Sequence, residues 1–427
     1  MLLSDARNLY NTAFSRWPGL QYAARVLRSE TNNFQCISGE IILMKCKTFK
    51  PVTLLAIVAS LFFLMSGCQP KSQPLPSANQ QPISPRLITE KVKGDSDDPA
   101  IWLHPTDRSQ SLILGTDKGD PERGALYVFD LQGKIVADKV VRDLDRPNNV
   151  DVEYGLLLNG VARDIAGVTQ KYSNKIRIFS LPDMRAIDGG GLEVFAGVPN
   201  VEPMGVSLYK RPADGAIFVI LSRKQGPTDG TYLWQYRLED NGSGNVKATK
   251  VREFGVWSGN GEIEAIAVDD SLGYVYYSDE WFGIRKYAAD PDAPDANREL
   301  TVFGTSGFAR DREGISIYQI NDGTGYIIVS DQQANTFHFY KREGEPDDPH
   351  NHQLVTVLKL STDGCDGTEI TNAVLSKEFP LGLFIAMSEK GVFHFYSWPD
   401  IADGKLAIAP NGERSALEVS ASSGMSE

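Results

Sequence analysis

Cysteine and histidine are scarce in this chain of 427 residues, which holds four Cys (Cys36, Cys46, Cys68 and Cys365) and five His. The cysteines show no metal-ligand spacing and no pairable framework, which excludes a disulfide scaffold and a thiolate zinc site. No G-x-S-x-G elbow, H-E-x-x-H helix, P-loop or Cys-x-x-Cys pair is present, so those nucleophilic, zincin, nucleotide and redox chemistries lack their residues. His350 and His352, in the charged stretch 343–352, read as solvated loop, and His104, His338 and His394 read as packed or surface residues on or beside strands. The longest apolar run, from Val52 to Met65, has about fourteen residues, too few for an ordinary membrane span.

Positive charge is also in deficit: 43 Lys and Arg stand against 55 Asp and Glu, a formal net charge of −12. Residues 1–67 carry seven basic and three acidic residues, so the remainder is more acidic than the whole. Such a surface repels nucleic acid, and it repels phosphorylated small molecules unless cations intervene. Nucleic acid is therefore not an expected partner.

The N-terminal region reads as an address. The basic stretch Met44-Lys45-Cys46-Lys47-Thr48-Phe49-Lys50 precedes the apolar run, and Ser66-Gly67-Cys68 follows it, similar to a bacterial lipobox with Met65 where Leu is usual. The expected organisation is an upstream extension over 1–43, a start at Met44, a lipoprotein signal peptide over 44–67 and a lipidated Cys68. Gln69 then stands where Asp would resemble an inner-membrane retention signal, so export and anchoring to the outer membrane are expected, leaving Cys365 without a partner. Residues 68–87, rich in Pro, Ser and Gln, read as a flexible tether, and 411–427 as a polar tail.

Between these ends lie short β-type runs separated by turn pairs such as Asp214-Gly215, Asn241-Gly242 and Asp322-Gly323, with no long amphipathic helix. Six segments begin alike: Asp97-Asp98-Pro99-Ala100-Ile101, Asn148-Asn149-Val150-Asp151-Val152, Glu202-Pro203-Met204-Gly205-Val206, Glu262-Ile263-Glu264-Ala265-Ile266, Asp311-Arg312-Glu313-Gly314-Ile315 and Asp366-Gly367-Thr368-Glu369-Ile370. Each leads to an apolar strand and then an aromatic-bearing one, for example Tyr127-Val128-Phe129 and Phe393-His394-Phe395-Tyr396. A repeat of roughly fifty residues with about four strands per unit predicts an all-β fold, a six-bladed β-propeller over 88–410.

If each segment enters the innermost strand of its blade, its acids converge on one mouth of the central channel. Like charges that close must be protonated, hydrated or neutralised by cations, and oxygen-only ligands select hard cations, Ca²⁺ over Mg²⁺. Taken singly, each acid can equally cap a turn. Lys118 and Arg123, Arg146, Lys171 and the Arg223-Lys224 pair fall near the same mouth and are suited to phosphate.

At these residues the sequence resembles the β-propeller phytases. Asp97-Asp98-Pro99-Ala100-Ile101-Trp102 matches the family's D-D-P-A-[IV]-W signature and Asn148-Asn149-Val150-Asp151 its N-N-V-D. The resemblance implies hydrolysis of phytate, or another inositol phosphate, by water activated on several Ca²⁺ ions, with no covalent phosphoenzyme. It also implies metal ligands at Asp97, Asp98, Glu264, Glu280, Asp311, Glu313, Gln332, Asp363 and Asp366, with Glu264, Glu280 and Asp98 at the catalytic centre. Substrate phosphates would meet Lys118, Lys224, Lys171 and Arg146 in a chain acting as a monomer. Three positions depart from the family pattern: Met204 replaces a Tyr, Glu153 an Arg, and the substrate-binding Arg of blade two has only Lys171 as its substitute. Two other readings stay open on the sequence alone, a calcium-dependent propeller lactonase or esterase and a lipid-anchored propeller that only binds.

Overall fold

The computed structural model describes residues 81–119, 123–199 and 201–410. The signal segment, Cys68, residues 68–80 of the expected tether and the tail after 410 lie outside the described residues. Among the described residues no helix is long and apolar enough to cross a membrane.

Six antiparallel sheets are arranged around one axis. Their innermost strands are Ser96–Trp102, Pro147–Leu158, Pro203–Lys210, Ile266–Asp269, Arg312–Gln319 and Thr368–Thr371, and each touches the next around the ring, the last meeting the first. This is the six-bladed β-propeller that the repeat predicts. In blades one to five, strands follow in chain order outwards, the second blade carrying an extra short strand at its rim. Second strands such as Leu112–Asp117, Ile217–Arg223 and Leu383–Ser388 are buried along their whole length. They lie between neighbouring blades, which is why they read as continuous apolar runs rather than alternating ones.

The ring closes with the chain's own beginning. Leu87–Ile88 pairs with Val392–Ser397, Leu87 opposite Phe395, and forms the outermost strand of the sixth blade. Ile83 bridges to Leu360, and Arg86 pairs with Asp400. Residues 83–87 are thus bonded strand and approach rather than flexible tether, a correction to the sequence expectation. The reason is that the third strand of the last blade would otherwise leave a row of backbone groups unpaired.

Two devices shape the mouth. In blades one, two, three and five the inner strand slips register against its neighbour at its entrance, between Ser96 and Pro99, Pro147 and Val150, Pro203 and Val206, and Arg312 and Ile315. These bulges hold Asp97-Asp98, Asn148-Asn149, Met204-Gly205 and Glu313-Gly314, and a bulge is how a strand re-aims side chains away from its pleat. The second device is a hydroxyl latch between blades, in which the penultimate residue of each second strand donates to a carbonyl at the entrance of the next blade. Thr116 reaches Asn148 O (2.6 Å), Thr169 reaches Met204 O (2.7 Å) and Ser330 reaches Cys365 O (3.0 Å), while Ser222 bonds Ile263 O and Ser278 bonds Arg312 O. The sixth blade has Met387 at this place, and there Ser96 Oγ donates to Ser388 O instead (3.3 Å).

Ser222→Ala removes both the bond to Ile263 O and the one that Ser222 Oγ accepts from Gly205 N (2.8 Å), stranding two buried backbone groups. The expected loss is about 1–3 kcal/mol, read as a clear fall in Tm. A melting curve superposable on wild type would contradict the latch.

Candidate functional site

In blades one, four, five and six the second strand ends in a residue that fixes the loop feeding the mouth. The Asp117 carboxylate accepts from Gly94 N (3.0 Å) and Asp95 N (2.8 Å), Asp279 from Ser258 N (2.8 Å), and Asp331 from Ala309 N (2.7 Å); Ser388 Oγ accepts from Asp363 N (3.0 Å). Each of these groups spends at least one oxygen on backbone.

Glu262 and Glu264 stand two residues apart just before the inner strand Ile266–Asp269, with Ile263 between them fully buried. Glu280, just beyond the second strand of the same blade, joins them: Glu262, Glu264 and Glu280 each offer an oxygen within 4.8 Å of the others. Asn148 Nδ2 donates to Glu264 Oε1 across the mouth. Blade three closes tightly against this segment because Gly205 has no side chain; a Cβ there would lie 2.0 Å from Glu264 O.

Around this trio the structure gathers Asp97, Asp311, Glu313, Gln332 and Asp366. Lys118 Nζ sits 2.9 Å from Asp97 Oδ1 and 3.3 Å from Asp366 Oδ2, and the Gln332 amide donates to Asp366 Oδ1. Burial, then repulsion from Glu264 and Asp366, pushes the Asp97 carboxyl well above its ordinary range despite Lys118. Burial with the charges of Glu264 and Glu280 does the same to Glu313. Burial pushes Glu280 up to about 8, with the charges of Glu264, Glu262 and Asp311 adding to it. For Lys118 burial works downwards, but Asp97, Glu264 and Asp366 outweigh it and hold the ammonium protonated. Asp97 Oδ2 and Glu313 Oε2 are buried and accept no hydrogen bond. This end of the channel is short of positive charge.

Bases lie beside the acids. Lys224 Nζ is 3.0 Å from Glu262 and Lys171 Nζ 3.8 Å from Glu202. Burial first, then the positive charges of Lys224 and Arg146, lowers the pKa of Lys171, so these three cations are close neighbours. Arg146 also packs over the ring of Tyr172, 5.9 Å from its centroid. Lys118, by contrast, is committed to its two carboxylates.

Two expected ligands stand apart from the trio. Asp98 turns towards the central channel, where its Oδ2 accepts from Val150 N (3.1 Å), although it still feels the charge of Glu264. Asp363 is exposed, with Asn335 Nδ2 3.3 Å away. Met204 is buried, while Glu153 lines the channel and accepts from the Tyr154 amide (2.7 Å). Asn148, Gln333 and Trp281 have no ligand or positioning role in the sequence reading, whereas Glu262 is among the acids it brings to the mouth, though not among the ligands the resemblance implies.

His352 is a correction, since it is buried rather than solvated. Lys286 can only donate and a carbonyl can only accept, so His352 Nδ1–H donates to Lys341 O (2.6 Å) and Nε2 accepts from Lys286 Nζ (3.1 Å). Burial, then the Lys286 charge, pushes its pKa down to about 4.

A protein-family model described as Phytase matches residues 50–395. The chain belongs to the phytase family. A 3-phytase of Bacillus subtilis (strain 168) is 29% identical over 371 residues, covering 82% of this chain and 92% of that protein. A solved luciferin-regenerating enzyme is 14% identical, with a TM-score of 0.44 over 76% of this chain and 96% of that one, too loose a likeness to bear on activity. Membership of the phytase family makes the chain a hydrolase.

That crowding has a measurable sign. With divalent cations chelated, folded Glu280 keeps its proton up to about pH 8, whereas the unfolded chain releases it near the ordinary 4.5. Between those values the folded state binds more protons, so this group makes stability fall as pH rises. Glu280→Gln removes the titration, and in chelator its Tm should fall less than that of wild type between pH 5 and about pH 8. Parallel profiles would show that Glu280 is not under this strain.

Proposed function

We propose that this protein is a calcium-dependent phytase that releases phosphate from phytate, myo-inositol hexakisphosphate. The observation that carries the reading is the juxtaposition of the Glu262, Glu264 and Glu280 oxygens with the cations Lys171, Lys224 and Arg146 in a phytase-family propeller. The family and the 3-phytase relative support the substrate.

The residues fit calcium. The donors are carboxylates and an amide, the hard oxygen set that Ca²⁺ takes in flexible geometry, and among the described residues no Cys or His joins the three glutamates. The orphaned oxygens of Asp97 and Glu313 and the raised carboxyls of Glu280 and Glu313 are the marks of a site that lacks its counter-charge. When bound, calcium supplies neutralisation of these acids, an anchor for phosphate oxygens and a lowered pKa for a coordinated water.

The chain's own residues do the rest. Glu262, Glu264 and Glu280 hold the cation, and Asn148 keeps Glu264 in place through its amide. Lys224, Lys171 and Arg146 grip phosphate oxygens by charge-assisted hydrogen bonds, and an arriving anion relieves their mutual repulsion. Acids for cations beside bases for anions suit a substrate with neighbouring phosphates, one held while the next reacts. Export with lipid anchoring at Cys68, and action as a monomer, complete the reading. A lactonase reading is less favoured, because none of the five histidines contacts the three glutamates.

Phosphate release from phytate by purified residues 69–427 should require calcium, stop in EDTA and return when calcium is restored. Glu280→Gln should lower turnover about 100-fold while the fold survives. Release that ignores EDTA would overturn the calcium reading, and lactone or ester hydrolysis without phosphate release would replace the phytase reading.

A further inference from the structure

Asp311 is held from two sides by donors that the proposed reaction leaves without a role. Trp281 Nε1–H donates to Asp311 Oδ1 (2.7 Å), and Gln333 Nε2–H donates to Asp311 Oδ2 (2.7 Å). Gln333 Oε1 accepts from the Asp311 backbone N–H (2.8 Å), so one amide clips both the main chain and the side chain of the same residue. Gln333 Nε2 also lies 2.6 Å from Gln332 Oε1, and Gln332 bonds Asp366, which with Asp97 flanks Lys118. A continuous run of contacts therefore links blade four to blade one through the mouth. The indole is itself fixed: Arg310 packs over its ring at 4.7 Å while Arg310 Nε stands 3.2 Å from Asp311 Oδ1.

A carboxylate oxygen has two lone pairs: Oδ2, bonded by Gln333 alone, keeps one for a cation, while Oδ1 is shared between the Trp281 N–H and the Arg310 guanidinium, and rotation about the Cβ–Cγ bond is locked. Groups that orient a metal-ligating carboxylate in this way set its affinity, and their loss typically weakens metal binding by 10- to 100-fold. Trp281 is 48% exposed and Gln333 lies at the surface, so packing of the core does not account for either.

We infer that Gln333 and Trp281 are positioning residues for cation binding, holding the Asp311 carboxylate in the orientation that serves a cation at the mouth. The inference rests on the calcium reading proposed above. Calorimetric titration of chelator-stripped protein with calcium tests it in wild type, Gln333→Ala, Gln333→Glu and Trp281→Phe. Gln333→Glu keeps the acceptor for the Asp311 amide and loses the donor; Trp281→Phe keeps an aromatic ring and loses the N–H.

Each variant should bind calcium about tenfold more weakly at one site. The half-activating calcium concentration for phosphate release should rise to match, turnover should recover at saturating calcium, and Tm in chelator should stay at the wild-type value. Undiminished affinity in Gln333→Ala and Trp281→Phe would overturn the inference, as would tighter binding by Gln333→Glu, which would mean that added negative charge alone governs the site. Lost turnover at saturating calcium with unchanged affinity would assign these residues to the chemistry itself and also overturn it. A wild-type protein that takes up no calcium would instead remove the calcium reading.

Discussion

Carboxylates crowded around one opening repel each other, and the remaining structure at that end of the propeller is built to hold them there. Two unit charges 4 Å apart repel by about 4 kcal/mol at an effective dielectric of 20. The Glu262, Glu264 and Glu280 oxygens fall in this distance range. Lys118 offsets part of the charge by sitting between Asp97 and Asp366, and protons offset more by remaining on Glu280 and Glu313. What is left over is an electrostatic demand for a cation, and a phytase-family hydrolase working on a polyanion has a use for one.

The scaffold bears that strain through backbone rather than through side-chain packing alone. Bulges at the entrances of four inner strands turn Asp97, Asn148 and Glu313 out of the pleat, while the Thr116, Thr169, Ser222, Ser278 and Ser330 hydroxyls tie each entrance to the blade before it. Asp117, Asp279 and Asp331 anchor the loops that lead in. Like charges stay close only where the surrounding backbone is over-determined. The added strand at Leu87–Ile88 closes the ring that makes this possible.

Much of this was legible in the sequence because a propeller repeats its chemistry. The six similar starts and the aromatic third strands announce the blades, and Asp97, Glu264, Asp311 and Asp366 fall where the repeat puts them. What escaped depends on partners distant in sequence. Nothing local in Gln333 or Trp281 says that both will meet Asp311, and nothing in residues 81–87, interrupted by Pro82 and Pro85, says that Leu87 will find Phe395. The charged stretch 343–352 looks solvated until Lys286 supplies the buried donor that His352 accepts. Asp98 shows the converse: its motif placed it at the mouth, but the Val150 amide draws one of its oxygens towards the channel.

The proposed cation sits between Glu262, Glu264 and Glu280, and anomalous diffraction from crystals grown in calcium would locate it. A calcium peak ligated by oxygens of all three glutamates is expected, with Asp311 still bonded to Gln333 and Trp281. Crystals saturated with calcium that show only water between these carboxylates would contradict it.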